Sequence, residues 1–260
     1  MQEESPRLSV AILAHNEAGD LAALLETVTF ADEIIVADAE SEDDTAEVAR
    51  RAGARVIPVK NDYNLNINKT VAIDACRGEW IIYLDPDESV PPELAEAVTA
   101  AAGGDGPYAA YEFPRRNNFF GRYLGHGGAY PDYQLRLFRR GRAHFPCLSV
   151  HERLEVDGRI GRLATPLLHR TYPTVADYLR KLPMYVSAGA DHLGRRGLRT
   201  SVATDLWYFM GRPWIRFTRR YIFKLGFMDG WPGFLACALD ATQAILTYYE
   251  YRSRGRKGRP

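Results

Sequence analysis

Short apolar runs alternate with helix-patterned segments over residues 8–102, and this alternation constrains the fold more than any other feature of the sequence. Runs that are apolar throughout predict buried strands, and apolar side chains at helical spacing predict helices. The predicted strands are residues 8–14, 33–38, 54–59 and 80–85, and the predicted helices are residues 18–29, 43–53, 66–77 and 91–102. This order is typical of an α/β fold with a mostly parallel sheet flanked by helices.

The pattern changes after residue 104. Residues 108–170 hold short strand-like pieces with many Gly and Arg residues, which predict an antiparallel extension of the sheet. From Val175 onward, helical spacing returns in segments rich in aromatic and basic residues. We therefore expect a first domain over residues 1–172, with halves at 1–104 and 105–172, and a helical C-terminal region over residues 173–260.

An acidic motif, Asp85-Pro86-Asp87-Glu88, follows the fourth predicted strand. Ligands of open parallel sheets bind at the carboxyl ends of the strands, and residues two apart in an extended chain point the same way. Asp85 and Asp87 are therefore predicted to hold a divalent metal ion, Mg²⁺ or Mn²⁺, which carboxylate oxygens bind well. The alternative is an ordinary acidic turn exposed to solvent.

Polar residues also follow the first two predicted strands. Asn16 and Glu17 come after the first strand, and Asp38 ends the second. A carboxylate at the position of Asp38 can accept a hydrogen bond from a nucleotide base or a ribose hydroxyl. Ser41, Asp43 or Asp44 could cap the following helix, and Asp43 and Thr45 are interpreted as mainly structural. Three strand ends are thus predicted to offer polar side chains to one crevice.

Arg136 lies in the segment Asp132–Arg140, where polar and apolar residues alternate. Its guanidinium suits bidentate binding of a diphosphate or of an acidic acceptor. An ion-pair role within the sheet explains an arginine at this position equally well.

These motifs occur in an order that resembles glycosyltransferase family 2. The resemblance lies in Ala14-His-Asn-Glu17, in Ile35-Val-Ala-Asp38 with Ser41, Asp43 and Thr45 after it, in Asn68-Lys69, and in Gly78-Glu-Trp-Ile-Ile-Tyr-Leu-Asp85-Pro-Asp87-Glu88. It is greatest for the lipopolysaccharide-core glucosyltransferase subgroup. It covers residues 1–170 with ordered motifs and the helical region more loosely.

The resemblance implies a GT-A fold and inverting transfer of a sugar from a nucleotide-diphosphate sugar, here UDP-hexose. The acceptor would be a cell-envelope glycan or a lipid-linked acceptor such as lipopolysaccharide core. Residues 1–104 would bind the nucleotide and residues 105–172 the acceptor. The implied ligands are Asn16, Glu17, Asp38 and Lys69 for the nucleotide and diphosphate, with Asp87 on the metal and Asp85 beside it. Without the resemblance, Lys69 would be interpreted as a solvated helical lysine.

Inverting transfer needs one general base on the acceptor side of the sugar. Glu152 is the predicted base, because the segment Ser149-Val-His151-Glu152 resembles a His-Glu segment that recurs in the subgroup. His151 is assigned a positioning or structural role. Asp132 is the alternative base.

Charge is distributed unevenly, although the net charge is zero. Residues 1–100 hold 21 acidic and 7 basic residues, whereas residues 195–260 hold 4 acidic and 13 basic ones. The basic, aromatic C-terminal region predicts peripheral contact with a membrane surface; packing of its helices on the core is the alternative. With no signal-peptide pattern and no paired cysteine motif, we expect a cytoplasmic protein at the inner face of the cytoplasmic membrane, with no nucleic-acid partner.

Two other functions share parts of this pattern. A nucleotidyltransferase also uses an α/β sheet and a carboxylate metal site, but it would carry a Gly-rich basic loop where this chain has His15-Asn16-Glu17. A catalytically inactive membrane- or glycan-binding module on the same scaffold is the second alternative. Failure to bind any nucleotide would favour that module.

Overall fold

The computed structural model describes residues 6–62, 64–147 and 153–257. The chain divides into two compact units. The first unit contains Met1–Arg115 and Asp132–His169, and the second contains Arg116–Pro131 and Arg170–Pro260. Residues 116–131, which the sequence pattern assigned to the first domain, thus group with the C-terminal helices.

The strands of the described residues range from 2 to 12 residues in length, and most belong to the first unit. They are β1 (Leu8–Ala14), β2 (Glu33–Asp38), β3 (Arg55–Pro58), β4 (Trp80–Leu84), β5 (Glu88–Ser89), β6 (Tyr108–Phe119), β7 (Arg122–Tyr123), β8 (Asp132–Arg139), β9 (Ala143–His144), β10 (Glu155–Val156), β11 (Arg159–Arg162) and β12 (Leu167–Tyr172). Neighbouring strands follow the order β3-β2-β1-β4-β8-β6, with β11 on β6 and β12 on β5. Strands β9 and β10 pair separately.

The sheet changes character at β4. Strands β3, β2, β1 and β4 run parallel to their neighbours, whereas β8 is antiparallel to β4 and β6 is antiparallel to β8. Parallel pairing needs a crossover between consecutive strands, which the intervening helices supply. The predicted α/β class is confirmed, and so is the antiparallel extension, except that β11 runs parallel to β6.

Helices cover both faces of the parallel strands: α1 (Ala18–Thr27), α2 (Thr45–Arg51), α3 (Leu65–Asp74) and α4 (Pro92–Gly103). All seven residues of β1 are buried. Val10 and Ile12 belong to one core cluster with Leu21 of α1, and Ala11 belongs to another with Ala72 of α3. Since both faces are covered, the edge where the strands end is left for a ligand.

The second unit is mainly helical. It contains α5 (Val175–Arg195), α6 (Val202–Leu206), α7 (Arg212–Thr218) and α8 (Gly230–Lys257), with π-helical turns over Trp207–Gly211 and Arg219–Phe223. Helix α5 packs closely on α8 at Gly189. A Cβ added at this glycine would lie only 2.7 Å from Cγ2 of Thr247, which is too close for a larger residue. Within the described part of the chain, no helix is long and apolar enough to cross a membrane.

Candidate active site

The carboxyl ends of β1, β2 and β4 converge on one acidic region of the first unit. The register pairs Ala14 of β1 with Asp38 of β2, and Ile12 of β1 with Leu84 of β4. Burial raises the pKa of the Glu17 carboxyl to about 7, and the negative charges of Asp87 and Asp85 contribute to this increase. The register confirms that these strand ends lie side by side; that they offer their polar side chains to one crevice stays a prediction.

The loop after β1 is held by the loop after β2. Asn16 has a positive φ of 53°, its backbone N–H donates to Oγ of Ser41 (3.0 Å), and its Oδ1 accepts from the backbone N–H of Glu42 (2.7 Å). The backbone N–H of Glu17 donates to Oγ1 of Thr45 (2.9 Å). These bonds fix where Glu17 lies. The predicted contact of Asn16 and Glu17 with a nucleotide stays a prediction.

Asp43 and Thr45 have the structural role that the sequence indicates. Oδ1 of Asp43 accepts from the backbone N–H of Thr45 (3.0 Å), and Oδ2 accepts from the backbone N–H of Ala18 (3.2 Å). The carboxylate thereby joins the beginnings of α2 and α1.

Asp85 is surrounded by donors and cations. Nη2 of Arg136 lies 2.5 Å from its Oδ2, Nζ of Lys69 lies 3.5 Å from its Oδ1, and the Tyr83 hydroxyl donates to Oδ1. Burial raises the pKa of Asp85, but the charges of Arg136 and Lys69 and the hydrogen bonds outweigh burial and hold it well below the usual range. Asp85 is therefore an ionised carboxylate whose charge the protein already balances.

Arg136 joins two carboxylates of the acidic motif. Arg136 is only 6% exposed. Its Nη2 lies 2.6 Å from Oε1 of Glu88, whose side chain is fully buried. The antiparallel register, with Ile82 opposite Leu137, places Arg136 beside the end of β4. Of the two roles that the sequence left open, the geometry favours the ion-pair role. Diphosphate binding by Arg136 stays an untested prediction.

Asp87 lies next to a histidine that the sequence pattern did not identify. Nε2 of His169 is 3.3 Å from Oδ2 of Asp87, and both side chains are mostly buried. The contact depends on the pairing of β12 with β5, in which His169 lies opposite Glu88. Histidine spacing along the chain carries no sign of this pairing. The sequence pattern also did not identify Tyr83 as a residue of the site. Its hydroxyl donates to Asp85, which lies two residues further along the chain and on the same strand face.

The donor set at this edge fits a divalent ion bound together with a diphosphate. No group of three or more metal-ligating side chains occurs among the described residues. Mg²⁺ and similar ions often take one or two carboxylates and complete their shell with phosphate and water oxygens. Asp87 suits direct ligation best, with His169 adjacent, because Asp85 is already engaged by Arg136 and Lys69.

The structure describes the surroundings of two further candidate residues, Asp38 on the nucleotide side and Asp132 on the acceptor side. Oδ1 of Asp38 is buried and has no hydrogen-bond partner within the described residues; its contact with a ligand stays a prediction. Oδ2 of Asp132 accepts two hydrogen bonds from Arg115, of 3.1 and 2.9 Å, and Oδ1 accepts one from Nε2 of Gln134 (2.9 Å), so both oxygens are already hydrogen-bonded within the protein. Glu152 and His151 lie outside the described residues.

The sequence is similar to known glycosyltransferases. The model of the Glycosyl transferase family 2 matches residues 9–154. A glycosyltransferase of Rickettsia typhi is 27% identical over 97% of this chain and 89% of its own length. LpsC of Rhizobium meliloti, named a lipopolysaccharide core biosynthesis glycosyltransferase, is 25% identical over 97% of this chain and 95% of its own.

Solved structures share the fold. The mannosyltransferase PcManGT from Pyrobaculum calidifontis, solved with GDP-Man and Mn²⁺, has a TM-score of 0.54 at 14% identity, over 96% of this chain and 88% of that one. Residues 1–349 of S. aureus TarS, solved with UDP, have a TM-score of 0.50 at 15% identity, over 97% and 92%. The α/β architecture with a GT-A-type sheet is thus confirmed. Since the family model covers more than half of the chain, this protein is a glycosyltransferase that belongs to glycosyl transferase family 2.

Proposed function

We propose that the protein transfers a hexosyl residue from UDP-hexose, with inversion, to a cell-envelope glycan or a lipid-linked acceptor such as lipopolysaccharide core. The observation that carries this proposal is the position of Glu17, Asp38 and Asp87 at the carboxyl ends of the adjacent strands β1, β2 and β4. The similarity to LpsC over nearly the whole of both chains supports the class of acceptor.

The donor is proposed to bind to residues 1–104. Asp38 accepts a hydrogen bond from the base or the ribose through its unpartnered Oδ1, because a buried acceptor without a partner is costly unless a ligand supplies the donor. Lys69 lies close enough to the acidic motif to meet the diphosphate as a point charge. Asn16, Glu17 and Arg136 complete the set of residues assigned to the nucleotide side.

A divalent ion, Mg²⁺ or Mn²⁺, is proposed to be held by Asp87, with Asp85 alongside and His169 adjacent. When bound, the ion supplies positive charge for a departing nucleotide diphosphate. Arg136, Lys69 and Tyr83 keep Asp85 ionised and oriented. This arrangement prevents mutual repulsion of the closely spaced carboxylates from displacing Asp85.

The acceptor is proposed to bind to residues 105–172. Glu152 removes the proton from an acceptor hydroxyl as its oxygen forms a bond to the anomeric carbon. The bond from that carbon to the diphosphate oxygen breaks in the same displacement, on the opposite face of the sugar. Asp132 is the second candidate, disfavoured by the two hydrogen bonds from Arg115.

The helical residues 173–260 are proposed to hold the enzyme at the inner face of the cytoplasmic membrane, where lipid-linked acceptors would be within reach. Exposed aromatic and basic side chains in this region support such an attachment.

A thermal-shift panel of nucleoside diphosphates, with and without Mn²⁺, tests the donor site. A ligand that binds only the folded protein raises the melting temperature by mass action. We expect a metal-dependent increase with UDP that exceeds the increase with GDP, ADP or CDP. A folded sample that responds to none of them would contradict the donor-site assignment and favour the inactive-module alternative.

A further inference from the structure

The helical stretch from Val202 to Phe223 exposes many large apolar side chains. Val202, Trp214 and Phe223 are each more than 70% exposed. Others in and just after the stretch are at least 44% exposed: Leu206, Trp207, Met210, Ile215, Ile222, Leu225, Phe227, Met228, Trp231 and Phe234. The surface of a soluble protein seldom carries so many exposed apolar side chains close together unless it binds a partner or a membrane.

A cationic cavity lies along the same stretch, within the second unit. Its volume is about 370 Å³, which is in the range of small-ligand sites. Its lining consists of five cations, one carboxylate and two apolar side chains: Arg212, Arg216, Arg219, Arg220, Lys224, Asp240, Trp207 and Ile215. The cavity therefore carries a large excess of positive charge.

Asp240 balances two of these cations. Arg216 makes a bidentate pair with Asp240 at 2.6 and 2.7 Å, and Nη1 of Arg220 lies 3.0 Å from Oδ1 of Asp240. The ion pairs formed by the described residues do not include Arg212, Arg219 or Lys224. Three cations thus remain to compensate an anion from outside the chain.

We propose that this cavity binds the phosphate of an anionic phospholipid head group, while the exposed side chains around Trp214 and Phe223 enter the interfacial layer of the bilayer. Guanidinium and ammonium groups are suitable phosphate donors. We assign the phosphate to a lipid and not to a free phosphate ion because Trp207 and Ile215 line the same cavity and are half exposed, so they can contact acyl chains beside the head group. Helices with apolar and cationic side chains of this kind lie in the plane of the interface.

This inference rests on the membrane attachment in the proposed function and names the lipid group that the attachment would use. It does not depend on the transfer chemistry. The test is co-sedimentation of the full chain with vesicles of phosphatidylcholine alone, and with vesicles in which about a third of the lipid is phosphatidylglycerol. We expect binding to the anionic vesicles that is lost at high salt, since surface attraction is screened beyond about 10 Å at ordinary ionic strength.

The variant Arg212→Gln/Arg219→Gln/Lys224→Gln removes the three uncompensated charges. We expect its affinity for the anionic vesicles to fall on the order of 100-fold, since each basic residue near such a surface contributes appreciably. The matched control, Arg195→Gln/Arg196→Gln/Arg199→Gln, removes three exposed cations of the same unit outside the cavity and should bind nearly as the parent protein does. Both variants should keep the parent's melting temperature and its response to UDP with Mn²⁺.

Quenching of tryptophan fluorescence by brominated acyl chains reports the insertion directly, and Trp214→Phe should remove a large part of it. Equal binding to neutral and anionic vesicles, or equal losses in the two triple variants, would overturn the head-group site. Absence of vesicle binding would do so as well. If the protein bound no vesicles but bound inorganic pyrophosphate, and the variant Arg212→Gln/Arg219→Gln/Lys224→Gln lost that binding, the cavity would be assigned to a free phosphate instead. A parent protein that binds vesicles but no nucleotide would contradict the donor site and leave the lipid site standing.

Discussion

Nη2 of Arg136 lies 2.5 Å from Oδ2 of Asp85 and 2.6 Å from Oε1 of Glu88, so one buried nitrogen joins two carboxylates of the acidic motif. Removal of one partner from a buried ion pair leaves the other charge without compensation, which usually costs more than the pair itself contributes. The stability of the candidate metal site therefore depends on a residue from a different strand.

Replacement of this arginine should destabilise the fold strongly. Arg136→Met is expected to lower the free energy of unfolding by about 3 kcal/mol, the low end of the usual cost, because Asp85 and Glu88 lose their shared cation and keep only Lys69 and Arg115 as partners. Urea unfolding followed by circular dichroism measures the change. Arg139→Met on the same strand is the control: its partner Glu79 is 55% exposed, and a loss of about 1 kcal/mol or less is expected. Similar losses in the two variants would contradict the role given to Arg136.

Glu17 should make stability depend on pH. Its pKa in the folded protein is raised from 4.5 to about 7, so its contribution is fully present below pH 4.5 and is lost as pH rises through 7. Glu17→Gln should therefore be more stable than the parent protein near neutral and alkaline pH, by about 1–2 kcal/mol since the side chain is only partly buried. The difference should vanish below about pH 4.5.

Thermal unfolding across this pH range measures the effect. Glu26→Gln, on the exposed side of α1, controls for the loss of one negative charge. A constant difference between Glu17→Gln and the parent protein at all pH values would contradict the raised pKa.

Asp87 should control the metal-dependent part of donor binding. Asp87→Ala is expected to abolish the increase in melting temperature that Mn²⁺ adds to UDP, and to lower turnover by about 100-fold or more, since the diphosphate loses its counter-charge. Thermal shift and a UDP-release assay measure the two effects. Asp62→Ala, an exposed acidic residue, is the control. A retained Mn²⁺ response in Asp87→Ala would show that the ion is held elsewhere.

Asp38 should matter for the ligand more than for the fold. Its buried Oδ1 has no partner among the described residues, so Asp38→Ala is expected to leave the melting temperature of the unliganded protein unchanged or higher. The same change should weaken UDP binding about 10-fold, through loss of a charge-assisted hydrogen bond. Isothermal titration calorimetry measures the affinity. Unchanged UDP affinity would remove Asp38 from the nucleotide pocket.

Glu152 should act on transfer and not on donor binding. Glu152→Gln is expected to keep the UDP thermal shift while lowering transfer by about 100- to 10,000-fold, the usual contribution of a general base. Asp132→Asn is the comparison for the alternative base, and Asp132 already accepts hydrogen bonds from Arg115. Full activity in Glu152→Gln together with loss in Asp132→Asn would reverse the assignment.

Local patterns were sufficient to predict the parallel part of the fold. Most residues of β1 and of its neighbours β2 and β4 are apolar, so the type and limits of these strands depend on residues adjacent in sequence. Asp85 and Asp87 could be placed at the sheet edge for the same reason, because the carboxyl end of a strand is visible in the sequence. An ion-pair role for Arg136 was one of two interpretations of the sequence, but the partners of Arg136 and His169 could not be predicted, because these contacts join residues that are far apart along the chain.

The sequence by itself determined the class of fold, the order of the motifs at the strand ends and the family resemblance, since all three are encoded in contiguous segments. The tertiary structure decided which charges compensate one another: Arg136 with Asp85 and Glu88, His169 with Asp87, and Arg216 with Asp240. It also decided that residues 116–131 group with the C-terminal helices. Strand register and helix packing set these pairings, and both depend on the whole chain, because burying a charge is favourable only where a distant partner can reach it.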